Sequence, residues 1–443
     1  MYRCQQNLMS MDKHLKAILE FICAESHKLT NCAIYYARQF YFKTDKIIGK
    51  FDLEKEYKNN KHYQVLSSQA AQQILRSVPE SFKSFKELNQ KYRKGELTDK
   101  HHLLKYIKKE GLFLVTYPKQ ALKWVDNQIG IPLGKTVKQW FGLDSFYLPM
   151  PSNLRFQEIK ELRILPRNHC FYVEFVDESK PVEIEVNPDN VLGLEPGLNN
   201  WLTGVSSLGT SFVIDGRHLK SVNRWYHKQV ATLKEGKPQG FWSTQLAKIT
   251  EKRNRKIRDA VNKAARLVIN HCLEHQRNKD QKGEGNLGKK NHQSFVSIPT
   301  AKLKERIRQL CEHCGIKFIE TEESYTSKAS FLDNDSLPKF VEKTEGWQPS
   351  GKRTKRGLYR TAQNQYINAD ANGAANIIRK VSTTLNFDLS RVSRGVLTRP
   401  QKFKCWSAKK TRSPLRILRH LWVGEVKKTF IMEDNYSCYT LQK

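Results

Sequence analysis

From Val191 to Gly216 the chain reads VLGLEPGLNNWLTGVSSLGTSFVIDG. Three short apolar runs, interrupted at Pro196-Gly197 and at Ser207-Leu208-Gly209, fit three consecutive strands and little else. A helix follows at about 218–236, and a longer one at about 241–276. In the longer helix Leu246, Ile249, Ile257, Ala260, Val261, Ala264, Leu267 and Val268 keep one side apolar. A further helix opens at Pro299, is paced by Leu303, Ile307 and Leu310, and stops at Gly315, ahead of the strand-like IKFIET. INADANGAANIIRK ends the series with a short strand, an Asp and a small-residue helix beginning near Asn372. The order is three strands, a helix, a strand and a final helix.

The flanking regions have other rhythms. Residues 1–110 read as helical, with Leu15, Ile18, Leu19 and Ile22 on one stripe and Ala33, Tyr36, Ala37 and Phe40 on a second. A pair of helices spans about 67–93, broken at Pro79. Residues 111–190 read as short strands. CFYVEFVDESKPVEIEV (170–186) predicts two strands around an Asp-Glu-Ser-Lys turn, with Val182, Ile184 and Val186 alternating. The expectation is a helical insert and a small β-barrel ahead of the core. After 384 the chain is basic with little periodicity, which predicts a flexible or RNA-contacting extension.

Charge narrows the partner. There are 77 Lys and Arg against 44 Asp and Glu, a formal charge of +33, beside an apolar share of 39% that still permits a folded core. A surplus of this size repels itself and is normally neutralised by a polyanion, nucleic acid first. Lys252, Arg255 and Lys256 on the long helix are candidate phosphate contacts or a solvated face. In GKRTKRGLYRT, the cations Lys352, Arg353, Lys355, Arg356 and Arg360 accompany Tyr359, a pattern that suits single-stranded nucleic acid or a solvated loop. Nine dispersed Cys form no disulfide framework and fit a reducing, intracellular compartment. Cys311 and Cys314 read as a helix face, and no zinc is expected. No run approaches a membrane span, and the N-terminus lacks a secretion signal.

The element order is that of an RNase H-like core within a mixed α/β plus α+β chain. In such a core acidic side chains from separate elements converge on divalent metal. The candidates are Glu195 at the end of the first strand, Glu322 or Glu323 after IKFIET, and Asp370 at the last helix. Asn372 and Asn376 either orient that helix or contact the site, and Asp370 or Asn372 is a candidate N-cap.

GLEPGLNNWLTGVSS, NLGKKNHQSFVSIPTAKL, ETEESYTSKASFLDND, SGKRTKRGLYRT and INADANGAANIIRK together resemble TnpB. This is the OrfB-type protein of bacterial insertion sequences, related to type V CRISPR effectors. The resemblance is strong over about 190–385. It implies a RuvC-like nuclease core with guide RNA and target DNA as partners and Mg²⁺ as cofactor. It also implies a monomer or weak dimer in a prokaryotic cytoplasm, associated with the nucleoid, and no membrane. The implied domains are a recognition-like region (1–110), a wedge-like region (111–190), core segments (191–328 and 367–383) around a cysteine-free insert (329–366), and a basic tail (384–443). The implied metal ligands are Glu195, Glu323 (with Glu322 its rival) and Asp370.

Four departures from the family bear on activity. Glu195 stands where the family has Asp. The connection HQRNKDQKGEGNLGKKNHQ has Leu287 as its only large aliphatic residue, so the family's fourth strand is expected to be missing. Either SFVSIP (294–299) replaces it or the sheet is damaged. The second acid, normally on that strand, moves to Glu323 or Glu322. The insert lacks a zinc ribbon and is expected to be held by packing alone, or be mobile. These features leave three alternatives: an attenuated endonuclease, an inactive RNA-guided binder or degenerate transposase-associated protein, and, more weakly, a transposase acting in strand transfer.

Overall fold

The computed structural model describes residues 2–108, 111–178, 190–276, 283–287, 299–321, 324–338, 346–385, 387–406 and 436–437. The chain divides into two units, Met1–Ser179 with Glu433–Lys443, and Lys180–Met432.

The first unit begins with a strand, β1 (Tyr2–Leu8), where a helix was expected. Its pairing partner is distant in sequence, and the strand buries Gln5 and Gln6, so no apolar alternation announces it. Gln6 Nε2 donates to Glu174 at 2.7 Å. Helix α1 (Lys13–Thr44) starts at Asp12, whose carboxylate accepts from Leu15 N. It buries Ile18, Leu19, Ile22, Ala33 and Ala37. Two short helices follow, α2 (Lys50–Tyr57) and α3 (Lys61–Val65). The expected break at Pro79 does not occur, because α4 runs unbroken from Ser68 to Arg93. Burial of Ala70, Ala71, Ile74, Leu75, Val78 and Phe82 outweighs the roughly 3 kcal/mol cost of an internal proline.

Next come β2 (Val115–Pro118), β3 (Lys123–Val125), β4 (Gln128–Pro132), α5 (Lys135–Phe141), β5 (Ser145–Pro149), β6 (Ile159–Arg167) and β7 (Cys170–Glu178). Asn168 and His169, both at positive φ, make the tight turn between β6 and β7. One sheet is ordered β17-β1-β7-β6-β2, where β17 is Tyr436–Ser437, and a second is β3-β4-β5. The expected partner strand at 182–186 lies outside the described residues.

The second unit opens with the three predicted strands, β8 (Asn190–Pro196), β9 (Asn200–Ser206) and β10 (Thr210–Asp215). Helices α6 (Arg217–Lys234) and α7 (Thr244–Gln276) follow as expected. The connection read as strandless contains β11 (Gly283–Leu287), parallel to β8 on one side and to β12 (Lys317–Ile319) on the other. Backbone pairing needs only N–H and C=O groups, and strands on both flanks supply them, so apolar side chains are not a precondition. SFVSIP lies almost wholly outside the described residues. Helix α8 (Thr300–His313) begins after Pro299 and buries Leu303, Ile307, Leu310 and Cys311, with Cys314 buried just beyond it.

The insert folds as β13 (Lys352–Lys355), β14 (Leu358–Arg360) and β15 (Tyr366–Asn368), and the chain continues into α9 (Ala369–Leu385). The start of the basic tail is structured, in contrast to the expected extension. It forms α10 (Arg394–Thr398) and β16 (Gln401–Phe403), and β16 pairs parallel to β10. The sheet order is therefore β12-β11-β8-β9-β10-β16. Strand alternation gives it two covered faces. Leu192, Leu194, Phe212 and Ile214 pack against α7 and α8, while Val191 and Val205 pack against Ala371, Ala374, Ala375 and Ile378 of α9. Among the described residues no helix is long and apolar enough to cross a membrane.

Candidate functional site

Strand β9 runs antiparallel to both β8 and β10, so the last residues of β8 and β10 and the first of β9 share one end of the sheet. Glu195 is the penultimate residue of β8 and is buried on the α9 face. Its cross-strand partner is Thr203, which is 0% exposed and whose Oγ1 has no hydrogen-bond partner among the described residues. Two glycines let α9 approach. A Cβ on Gly193 would lie 2.4 Å from Ala374 O, and one on Gly373 would lie 3.2 Å from Cδ of Glu195. Gly373 is one helical turn beyond Asp370, so the carboxylate of β8 and that of the α9 N-terminus stand at one corner of the fold. The positive end of the α9 dipole favours both.

Asp370 is held from two sides. Asn200 Nδ2 donates to Oδ2 at 2.8 Å, and Arg353 Nη2 donates to Oδ1 at 2.7 Å. Nothing in its local sequence marks Asn200 for this contact, because the bond spans the sheet end and the helix. Asp215, at the end of β10 and paired with Asn200, reaches the same edge. It accepts from Arg217 N at 2.9 Å, and Lys402 Nζ lies 3.4 Å from Oδ2, so its charge is already balanced.

The expected capping role of Asn372 or Asp370 falls to Asn368, whose Oδ1 accepts from the backbone N of Asp370 and of Ala371, both at 3.0 Å. Asn372 is fully buried one turn in, where capping is impossible. Its Oδ1 accepts from Phe331 N at 3.0 Å and its Nδ2 donates to Ala329 O at 2.8 Å. Asn376 Nδ2 donates to Thr326 O and Ala329 O. Arg379 donates to the carbonyls of Phe331 and Asp335. These bonds pin the loop 326–335 to α9. Within the insert, Asp333 Oδ2 accepts from Ala362 N and from the hydroxyls of Ser330 and Ser350, and Asp335 Oδ2 accepts from Ser330 N and Ser350 N. The insert is thus held by hydrogen bonds as well as by packing, which the absence of cysteine alone does not reveal.

Tyr359 is buried and donates its hydroxyl to Lys328 O at 2.7 Å, so it is no stacking platform. Burial, with the charges of Asp335 and Asp333, pushes its phenol well above its ordinary value and keeps it a donor. Lys352, Arg353, Lys355 and Arg356 are exposed, and Arg360 is half-buried. Lys252, Arg255 and Lys256 are exposed on α7, whereas Arg258 of the same helix is buried with its guanidinium 3.3 Å from Glu251.

Glu195 and the N-terminal turns of α9, which carry Asp370, are therefore brought to one end of the sheet. Glu322 and Glu323 lie outside the described residues. Among the described residues no group of three or more His, Cys, Asp and Glu is placed to hold a metal ion.

Residues 172–278 match the OrfB_IS605 family, whose description is a probable transposase. That segment covers β7 through α7, with Glu195 inside it. No curated protein matches the chain. Among solved structures it is similar to a Cas12f1–sgRNA–target DNA complex at 11% identity and TM-score 0.49, covering 83% of each chain. It is also similar to a CRISPR-Cas12f ternary complex at 13% identity and TM-score 0.30, covering 82% of this chain and 80% of that one. A third is CasPhi-2 (Cas12j) bound to crRNA, at 8% identity and TM-score 0.34, covering 90% of this chain and 99% of that one.

Proposed function

We propose that the chain is an RNA-guided DNA-binding protein of the TnpB kind whose second unit is an RNase H-like, RuvC-like endonuclease core with attenuated activity. In this proposal residues 1–110 and 111–190 serve as recognition and wedge regions for guide RNA and DNA. The observation that carries it is the packing of Glu195, at one end of a mixed sheet, against the first turns of α9, which carry Asp370. The charge of +33 supports a polyanionic partner held through its backbone.

The residues present fit Mg²⁺ by donor chemistry. The site offers carboxylates from Glu195 and Asp370 and the buried, unpartnered hydroxyl of Thr203, all oxygen, with no thiol or imidazole among them. Glu195 and Asp370, with Glu323 or Glu322, would hold the ion. When bound, it would supply activation of water and stabilisation of the leaving oxygen of the phosphodiester. The chain's own groups do the positioning. Asn200 sets the rotation of the Asp370 carboxylate, and the α9 dipole favours both anions. Lys352, Lys355 and Arg356 take backbone phosphates of the strand to be cut, while Lys252, Arg255 and Lys256 take those of the duplex.

Attenuation follows from Glu195. Its extra methylene advances the carboxylate by about one C–C bond toward α9, and a misplacement near 1 Å costs on the order of 100-fold in rate. The test is plasmid nicking by the protein with its co-purified RNA and Mg²⁺. Glu195→Asp is expected to nick about 100-fold faster than the unaltered chain, and Asp370→Ala not at all. Nicking that survives Asp370→Ala refutes the assignment. A second reading, an inactive RNA-guided binder, is favoured by the Arg353 contact that occupies Asp370. It predicts RNA-dependent DNA binding with no nicking even in Glu195→Asp.

A further inference from the structure

Asp370 is a carboxylate with both oxygens engaged, and its two partners differ in kind. Asn200 is neutral, and its backbone is fixed by pairing with Asp215 in the sheet. Arg353 is a cation on β13, a strand whose four residues are all exposed. Its side chain is 46% exposed against 23% for Asp370, so the pair sits at the mouth of the corner with the guanidinium on the solvent side. One of the five guanidinium N–H donors meets Oδ1, and the fork geometry that suits a carboxylate suits a phosphate equally. The neighbouring cations Lys352, Lys355 and Arg356 are exposed and form no ion pair among the described residues. A phosphodiester backbone lying along β13 would therefore meet unneutralised cations on both sides of Arg353 in the chain.

Two cations cannot share Oδ1 of Asp370 without mutual repulsion, so a divalent ion there competes with Arg353. A phosphate competes for Arg353 from the other side. Each event that removes Arg353 from Asp370 favours the other, and the coupling is reciprocal. Thr203, buried and unpartnered beside Glu195, adds a donor whose bond is still unmade while Arg353 holds Asp370.

We propose that Arg353 is a nucleic-acid-operated latch: in the free protein it occupies Asp370, and a strand phosphate bound along β13 withdraws it and opens the carboxylate to a divalent cation. The proposal rests on the assignment of Asp370 as a metal ligand, and the experiment separates the two. Mn²⁺ is titrated calorimetrically into the nuclease-treated full-length protein. In parallel, binding of a labelled single-stranded DNA is measured by anisotropy with Ca²⁺ or with EDTA. Arg353→Gln is expected to bind Mn²⁺ about fivefold more tightly than the unaltered chain, the upper end for a half-exposed ion pair. Arg353→Lys should fall between the two. Ca²⁺ is expected to tighten DNA binding of the unaltered chain by a similar factor, and of Arg353→Gln not at all. Equal Mn²⁺ affinity in the unaltered chain and Arg353→Gln, with binding abolished in Asp370→Asn, overturns the latch and keeps the ligand. Mn²⁺ affinity unchanged in Asp370→Asn overturns both. Thermal melting of each variant checks that it is folded.

Discussion

Asn372→Ala removes the pin between the insert and α9, and its cost can be worked from the contacts. Oδ1 of Asn372 is the partner of Phe331 N, in a residue only 7% exposed, so truncation leaves a buried N–H without an acceptor. That loss is about 1–3 kcal/mol. Ala329 O also accepts from Asn376 at 2.8 Å and so keeps a donor. The void left by the amide adds about 1 kcal/mol. The sum is about 3 kcal/mol, which in a unit of this size lowers the melting temperature by roughly 6–12 °C. Asn376→Ala is the internal control. It withdraws donors from carbonyls only, one of which retains Asn372, and orphaned carbonyls cost less than orphaned N–H groups. Calorimetry of the full chain should therefore rank Asn372→Ala below Asn376→Ala in stability, and hydrogen exchange should show faster exchange at Phe331. A fall of less than about 3 °C in Asn372→Ala, or the reverse ranking, would refute the role assigned to this side chain.

Pro79→Ala restores a donor to the interior of α4 and removes the ring's clash, against the loss of a buried ring and of chain stiffness in the unfolded state; a net gain of about 1 kcal/mol is expected as a higher melting temperature of the first unit, and a fall would contradict the account of α4. Acid should weaken that unit through Glu25. Burial raises its pKa, but hydrogen bonds and charges from Lys28 and His62 outweigh this and leave the carboxyl below its ordinary value. A carboxyl depressed in the folded state contributes stability that is present above its unfolded pKa and lost as pH falls through the folded one. Melting temperature followed from about pH 5 down to about pH 3 should fall less steeply in Glu25→Gln, and identical slopes would exclude the contribution. Purified protein should also carry nucleic acid that absorbs at 260 nm and is released only at high salt, because phosphate contacts are lost with counterion release.

Much of the second unit was legible because its signals are local. Pro196-Gly197 and Gly209 punctuate the three strands, Pro299 starts α8, and the 3.6-residue apolar spacing carries α7. The acids at Glu195 and Asp370 were visible for the same reason, each at the junction of two elements. The misses have one cause: each depended on a partner far away in the chain. β1 and β11 are strands because neighbouring strands offer backbone groups, although their own side chains do not alternate in the expected way. Pro79 stays inside a helix because Phe82 and Leu75 are buried beside it. Tyr359 looked like a stacking residue until the loop at Lys328 closed over its hydroxyl.

The order of elements, the cationic surplus and the three acidic positions are properties of the polymer alone, since periodicity, turn chemistry and formal charge are all read along it. Which carboxylates meet is not. Glu195 lies against the first turns of α9, which carry Asp370, because Gly193 and Gly373 lack the Cβ atoms that would hold α9 away from β8. Asn200 and Arg353 hold Asp370 because one end of the large sheet and a strand of the insert come within hydrogen-bonding distance of one helix end. Contacts of that kind are decided by packing at ångström scale, which a linear pattern does not encode residue by residue.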